Sequence, residues 1–528
     1  MSNLKILDCT LRDGGYINNW EFGEKVIQGI ISKLEESQID IIECGFLRNV
    51  EYNSDVSVFS SVKQIEKFIP NKNAKTMYVA MIALGDIDIN KLDACDGNSI
   101  DGIRLTFHKH EWQEAKKAVN KLMDKGYKVF VQPVGTTTYS DSELLALIED
   151  VNEINPYALY LVDTLGVLYS KDLVHLFNIV EENLNSNVAI GFHSHNNLQL
   201  SFSNAQELIN LAKNHTLILD SSIYGMGRGV GNLASELICE YINENIEYKY
   251  FIIPLLSIAD KYVMSIYFEH KWGYDLPYFL SATIKCHPNY ASYLMKKTTL
   301  KVEDINNILQ TIPKQKRELF DVKLIEKLYY EYQHCLINDD ETIKWVKEKL
   351  QGREVLLLAP GGSINENQTV INDYIKENNP FVIAVNHSPT LFKVDMIFIS
   401  SNKRFDTVIE YVNNDINVVC TSNVQINGEY NNLQKINYSS YIGEGNALDN
   451  AGAMAIRFLK KCGVKNISMA GFDGFSEQPQ TNFNIEMFRL AITSEEAKQK
   501  NKDITHQLSS ALKGVKYKFI TPTRYSIK

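Results

Sequence analysis

The sequence predicts an α/β chain in three parts: a (β/α)₈ barrel over residues 1–250, a helical extension over 251–350, and a Rossmann-like α/β domain over 351–528. Three observations predict this. Eight short runs of strand-forming residues alternate with helically spaced apolar residues in about the first 225 positions. The pattern turns helical after Ile252, and strand-like alternation returns beyond Gly352.

The eight runs are Leu4 to Asp8, Ile39 to Cys44, Thr76 to Ile82, Gly102 to Phe107, Lys128 to Pro133, Ala158 to Asp163, Val188 to His193 and Thr216 to Ile223. Between them stand sets such as Val26, Ile30 and Leu34, or Ala115, Val119 and Leu122, spaced for one helix face. A doubly wound open sheet usually stops at five or six strands, so eight such units favour a closed parallel barrel. From Ile252 to Leu350 the chain is rich in Tyr, Lys and Leu and reads as helices. Six later runs, Glu354 to Ala359, Phe381 to Asn386, Asp395 to Ser400, Asn417 to Thr421, Asn466 to Phe472 and Tyr517 to Thr521, fit a separate α/β sandwich. Asn378-Asn379 and Asn413-Asn414 read as loops and helix ends.

Composition narrows the function classes. With 45% hydrophobic and 22% charged residues, the 528-residue chain is ordinary globular protein. A net charge of −10 and a pI near 5.7 argue against a nucleic-acid partner. The eight cysteines form no Cys-x-x-Cys pair and read as reduced thiols of a cytoplasmic protein. A strand-like run follows directly on Met1 to Asn3, which leaves no expected signal peptide. The longest apolar runs fall short of the roughly 20 residues that cross a bilayer.

In such barrels the active groups sit at the carboxyl ends of the strands. Strand one ends in Cys9-Thr-Leu-Arg-Asp-Gly-Gly, which presents Arg12 and Asp13; strand seven ends in Gly191-Phe-His-Ser-His-Asn-Asn. His193 and His195 stand two apart, so an extended chain turns both imidazoles to one side. Closure makes strands seven, eight and one neighbours, and the loop Gly225-Met-Gly-Arg-Gly-Val-Gly-Asn adds Asn232 to the same rim. One carboxylate and two neutral imidazoles suit Mn²⁺, Fe²⁺, Co²⁺ or Zn²⁺ better than Ca²⁺. A His-x-His pair is cheap, however: His108-Lys-His110 after strand four repeats it across the barrel, where substrate contact is the better reading. Asp13 alone could equally be a turn residue.

Leu7-Asp-Cys-Thr-Leu-Arg-Asp-Gly-Gly, the His-Ser-His segment and Gly225-Met-Gly-Arg-Gly-Val-Gly-Asn-Leu together resemble the DRE-TIM metallolyase superfamily over roughly residues 1–250. Ile42-Glu-Cys-Gly-Phe and Val162-Asp-Thr-Leu-Gly-Val resemble its second- and sixth-strand signatures and add Glu43 and Thr164 to the candidate site. The resemblance implies that Asp13, His193 and His195 ligate a divalent ion, Mn²⁺ first and Mg²⁺, Co²⁺ or Zn²⁺ as options, with Asn232 a fourth ligand or near contact. It implies that Arg12 stabilises an enolate oxygen. The 4-hydroxy-2-oxovalerate aldolases look nearest, but where they carry a histidine three residues after the metal Asp, this chain has Tyr16. A phenol needs a nearby cation to move protons at neutral pH. The acid/base is therefore sought among Tyr16, Glu43 and His108, with Thr164 and His110 as substrate contacts.

The expected activity is a metal-dependent carbon–carbon lyase acting on a 2-keto acid and an aldehyde, in a homo-oligomer. A synthase condensing an acyl-CoA with a 2-keto acid is the rival. In the carboxyl-terminal half, Leu356-Leu-Leu-Ala-Pro-Gly-Gly-Ser-Ile resembles a Gly-rich Rossmann-like turn but lacks G-x-G-x-x-G and a Walker lysine. With Ile397-Phe-Ile-Ser-Ser-Asn and Met469-Ala-Gly-Phe-Asp-Gly-Phe it looks similar to domains of bacterial surface-sugar synthesis, including sialyltransferase-like folds. The readings left open are a sugar-nucleotide binder beside a degenerate barrel and a merely structural domain.

Overall fold

The computed structural model describes residues 4–527 except 70–71, 298, 389–390, 411, 413–415, 427, 429, 444–448 and 477–493. Asn413 and Asn414 lie outside the described residues. Chain contacts divide into two units, Met1–Ser292 with Pro313–Phe320, and Tyr293–Ile312 with Asp321–Lys528. The helical segment is thereby shared: residues 251–292 pack with the first unit, and most of the remainder with the second.

The first unit is a closed barrel of eight parallel strands: β1 (Leu4–Asp8), β2 (Ile41–Leu47), β3 (Met77–Ala83), β4 (Gly102–Phe107), β5 (Lys128–Pro133), β6 (Ala158–Asp163), β7 (Ala189–Ser194) and β8 (Leu217–Ser221). Closure comes from β1, which pairs with β8 over Leu4↔Leu217 to Asp8↔Ser221 and with β2 at Leu7↔Ile41 and Asp8↔Ile42. Alternation divides each strand between two environments. Outward residues such as Ile6, Ile42, Tyr78 and Leu105 pack with the amphipathic helices. Inward Leu7, Ile41, Val79, Phe130, Ala158 and Ile218 fill the barrel with an apolar layer. Two residues further along, the inward positions become Glu43, Arg104, Tyr160 and Asp220, all buried. The apolar layer thus supports a charged one beneath the carboxyl-end rim.

The second unit carries seven parallel strands: β9 (Val355–Leu358), β10 (Phe381–Val385), β11 (Met396–Ile399), β12 (Asn417–Thr421), β13 (Leu433–Ile436), β14 (Asn466–Ala470) and β15 (Lys516–Phe519). Their order is β13-β12-β11-β10-β9-β14-β15, so the winding reverses between β9 and β14. Alternate residues face opposite helix layers: Leu357 and Ile383 meet Phe458 and Leu508, while Leu356 and Val382 meet Ile371 and Tyr374. This is the Rossmann-like sandwich expected, with one strand more than the sequence showed. β13 reads Leu-Gln-Lys-Ile and lies at the sheet edge, half-buried over three of its four residues, so it lacks a hydrophobic run. All eight cysteines are free thiols. Among the described residues, no helix is long and apolar enough to cross a membrane.

Candidate functional site

The turn after β1 begins with Cys9, whose carbonyl accepts the amides of Arg12 and Asp13 at 3.0 and 2.8 Å. This fold-back carries both side chains into the barrel mouth. His193, inward on β7, and His195, just beyond it, meet Asp13 as sequence spacing and barrel closure predict. His193 Nε2 lies 4.0 Å from Asp13 Oδ1, and His195 Nδ1 lies 4.0 Å from Asp13 Oδ2. All three side chains are buried, with ligand atoms within 4.8 Å of one another. Donors about 2.1 Å from a shared ion stand roughly 3 to 4 Å apart, so the spacing admits one divalent ion.

The state of the donors agrees with that use. Burial pushes the His195 imidazole down to about 3, so it is neutral, and its Nδ1 has no hydrogen-bond partner. Burial works against the charge of Asp13, but the Arg12 guanidinium overcomes it and holds the carboxyl well below the usual range. Asn232 donates from Nδ2 to Asp13 Oδ2 at 2.8 Å, leaving its buried Oδ1 unpartnered. Gly227 lets the loop after β8 close on this pair, since a Cβ there would meet Asn232 Nδ2 at 2.3 Å and Asp13 Oδ2 at 2.8 Å. Unpartnered buried polar atoms are rare in folded proteins, and here two belong to residues that neighbour Asp13.

Below the ligands runs a buried ion chain. Arg12 donates to Asp13 at 2.6 Å and to Glu43 at 2.8 Å; Arg104 donates to Glu43 at 2.6 Å and also to Asp220. Asp220 in turn lies 3.0 Å from His193 Nδ1 and accepts the Tyr160 hydroxyl at 3.0 Å. Against burial, Arg104 holds the Asp220 carboxyl below its ordinary value, so it is ionised and Nδ1 of His193 is the donor. That tautomer leaves Nε2 free to ligate. Two guanidiniums against Asp13, Glu43 and Asp220 leave one net negative charge, which a divalent cation would offset.

The other sequence candidates are spread along the rim. Tyr16 is partly exposed, packs edge-on to Trp20, and has the Arg228 guanidinium 5.7 Å from its ring centre. Arg228 also donates to the Thr164 carbonyl at 3.3 Å, while the Thr164 hydroxyl accepts the Gly135 amide at 2.9 Å. Glu43 keeps one buried oxygen, Oε1, without a partner. His108 and His110 stack at 6.0 Å; His108 caps a short helix through Glu111, and His110 is exposed. Among the described residues, the side chains that pair or hydrogen-bond with Asp13 are Arg12, His193, His195 and Asn232, and neither of these imidazoles is among them. Sequence reasoning missed Arg104, Asp220 and Arg228. The signal for the first two was a charge at an inward strand position inside an apolar run, Ile103-Arg-Leu and Leu219-Asp-Ser.

Residues 3–246 match the family described as HMGL-like. The barrel is similar to that family over its whole length. Oxaloacetate decarboxylase from Mycobacterium tuberculosis is 25% identical to this chain over 241 residues, 44% of this chain and 68% of the relative. 4-Hydroxy-2-oxovalerate aldolase 2 from Salinispora arenicola is 26% identical over 264 residues, 49% of this chain and 74% of the relative. 2-Isopropylmalate synthase from Oceanobacillus iheyensis is 27% identical over 272 residues, 48% of this chain and 51% of the relative. Similarity to each relative covers under half of the chain. The buried Asp13, His193 and His195 group within the matched residues is consistent with a divalent-metal site.

Proposed function

We propose that the HMGL-like barrel is a divalent-metal-dependent aldolase that makes or uses a pyruvate-like enolate and an aldehyde. The observation that carries this reading is the pairing of the Asp13, His193 and His195 donors with Arg12, whose buried Nη2 has no hydrogen-bond partner. A divalent ion held by the three donors, with Asn232 beside it, would act as a Lewis acid toward the carbonyl of a 2-keto acid. Arg12 is pre-positioned by Asp13 and Glu43, so its remaining N–H can donate to an enolate oxygen without reorganising. In the cleavage direction the substrate hydroxyl loses its proton, the carbon–carbon bond breaks to release the aldehyde, and the bonding pair becomes the enolate. Tyr16, as its phenolate, is the proposed acceptor of that proton and becomes the phenol; the Arg228 guanidinium lies 5.7 Å from its ring centre. Glu43, joined to Arg12 and Arg104, acts as a positioning group.

The test is exchange of the pyruvate methyl protons with deuterium, which needs no knowledge of the aldehyde. Exchange that is lost with chelation and restored by Mn²⁺ is expected. A folded, metal-loaded protein that shows none would overturn the reading. Acyl-CoA consumption in the presence of pyruvate would instead favour the synthase.

A further inference from the structure

The second unit contains a cavity of about 220 Å³ at the point where its winding reverses. In parallel α/β sheets the crevice outside the carboxyl ends of the two strands flanking such a reversal is where ligands bind. Here those strands are β9 and β14. Their following loops lie against each other: Gly361 donates to the Gly471 carbonyl at 3.0 Å, and a Cβ on Gly361 would lie 2.5 Å from the Asp473 carboxyl. Only glycine at 361 and 471 leaves room for the two loops to approach this closely.

Two cations line this cavity without an ion pair within 4.0 Å among the described residues. Lys297 is only 6% exposed, yet among the described residues its ammonium makes no hydrogen bond and no ion pair; it rests over Tyr329 and Tyr293 at 4.7 and 5.1 Å. Arg404 is half-buried and its guanidinium likewise has no ion pair or hydrogen bond among the described residues. Burial pulls both groups below their ordinary values, with Asp449 and Glu326 partly offsetting this for Lys297. A fold that keeps desolvated cations unpaired pays for them in stability, which points to a role in binding an anion. Asp449 and Asp473 also line the cavity; the first accepts the Tyr329 hydroxyl, the second the Ser363 amide at 2.8 Å and the Ser363 hydroxyl. A bare anion would be repelled by these carboxylates, whereas a ligand that also carries hydroxyls could satisfy them.

We propose that this crevice binds a small phosphate ester bearing hydroxyl groups, a sugar phosphate or a nucleoside monophosphate, with Arg404 and Lys297 taking the phosphate. At about 220 Å³ the cavity lies below the roughly 300 to 1,000 Å³ usual for drug-sized ligands, which favours a small ligand. All the residues that line it belong to the second unit.

Calorimetric titration of the full chain in EDTA with inorganic phosphate, glucose 6-phosphate and the four common nucleoside 5′-monophosphates tests it. At least one ester should bind at one per chain and more tightly than inorganic phosphate, and the ester that binds best separates the two sources. Arg404→Gln and Lys297→Met should each weaken that binding at least tenfold while the melting temperature without ligand stays level or rises. No ester binding at millimolar concentration, or equal binding in both variants, would overturn the proposal. So would a lower melting temperature in both, because the cations would then be structural parts of the fold.

Discussion

Nδ1 of His193 lies 3.0 Å from the ionised carboxylate of Asp220, which itself is held by Arg104. This fixes which imidazole nitrogen is free, and so places a buried residue outside the candidate ligand set in control of one of its members. Asp220→Asn should lower divalent-metal affinity by about ten- to a hundredfold, the usual effect of removing an outer-shell partner. A competition titration with a chelating dye reads it; unchanged affinity would mean that the tautomer is set elsewhere.

The ligand set itself is tested by metal content. Purified protein is expected to hold about one divalent ion per chain, and Asp13→Ala or His193→Ala should remove it, because too few donors remain. Full occupancy in both variants would rule the site out.

Arg12→Lys separates charge from geometry. Lysine keeps the cation but loses the planar fork that now spans Asp13 and Glu43. Metal should stay bound while pyruvate proton exchange falls about a hundredfold, on the scale of losing one preorganised oxyanion donor. Near-normal exchange in the variant would make the guanidinium structural.

Asp8, at the end of β1, offers a pH-dependent reading of the barrel core. Burial raises its carboxyl to about 6, although Ser235 and the Thr10 amide hydrogen-bond to it. The folded state therefore holds a proton that the unfolded chain releases near the ordinary value, so Asp8 favours folding at low pH and loses that contribution as pH rises through about 6. Asp8→Asn stays neutral throughout. Its stability relative to the parent should rise by up to about 3 kcal/mol between pH 4 and pH 7.5, from about 1.4 kcal/mol per unit. Parallel urea titrations at the two pH values measure it, and a constant difference would show that Asp8 ionises without cost.

The sequence by itself determined the barrel, because a period of two in the strands and 3.6 in the helices is written locally, and eight repeats leave few ways to bury it. It also placed Asp13, His193 and His195 together, since closure of the barrel makes strands seven, eight and one neighbours whatever their sequence separation. Only the tertiary structure decided the rest. Arg104 and Asp220 looked like isolated charges in apolar runs until strands from opposite parts of the chain brought them to Glu43 and His193. Arg228 became the cation near Tyr16 only when the loop after β8 folded over the rim. In the second unit, the Leu356-Leu-Leu-Ala-Pro-Gly-Gly turn meant little until the strand order put β14 beside β9. Lys297 and Arg404 come from segments about 100 residues apart, and no local pattern announces a cavity that distant segments must enclose. Local periodicity fixes which face of an element is buried; which charges share that buried space depends on long-range packing, and the chemistry is set there.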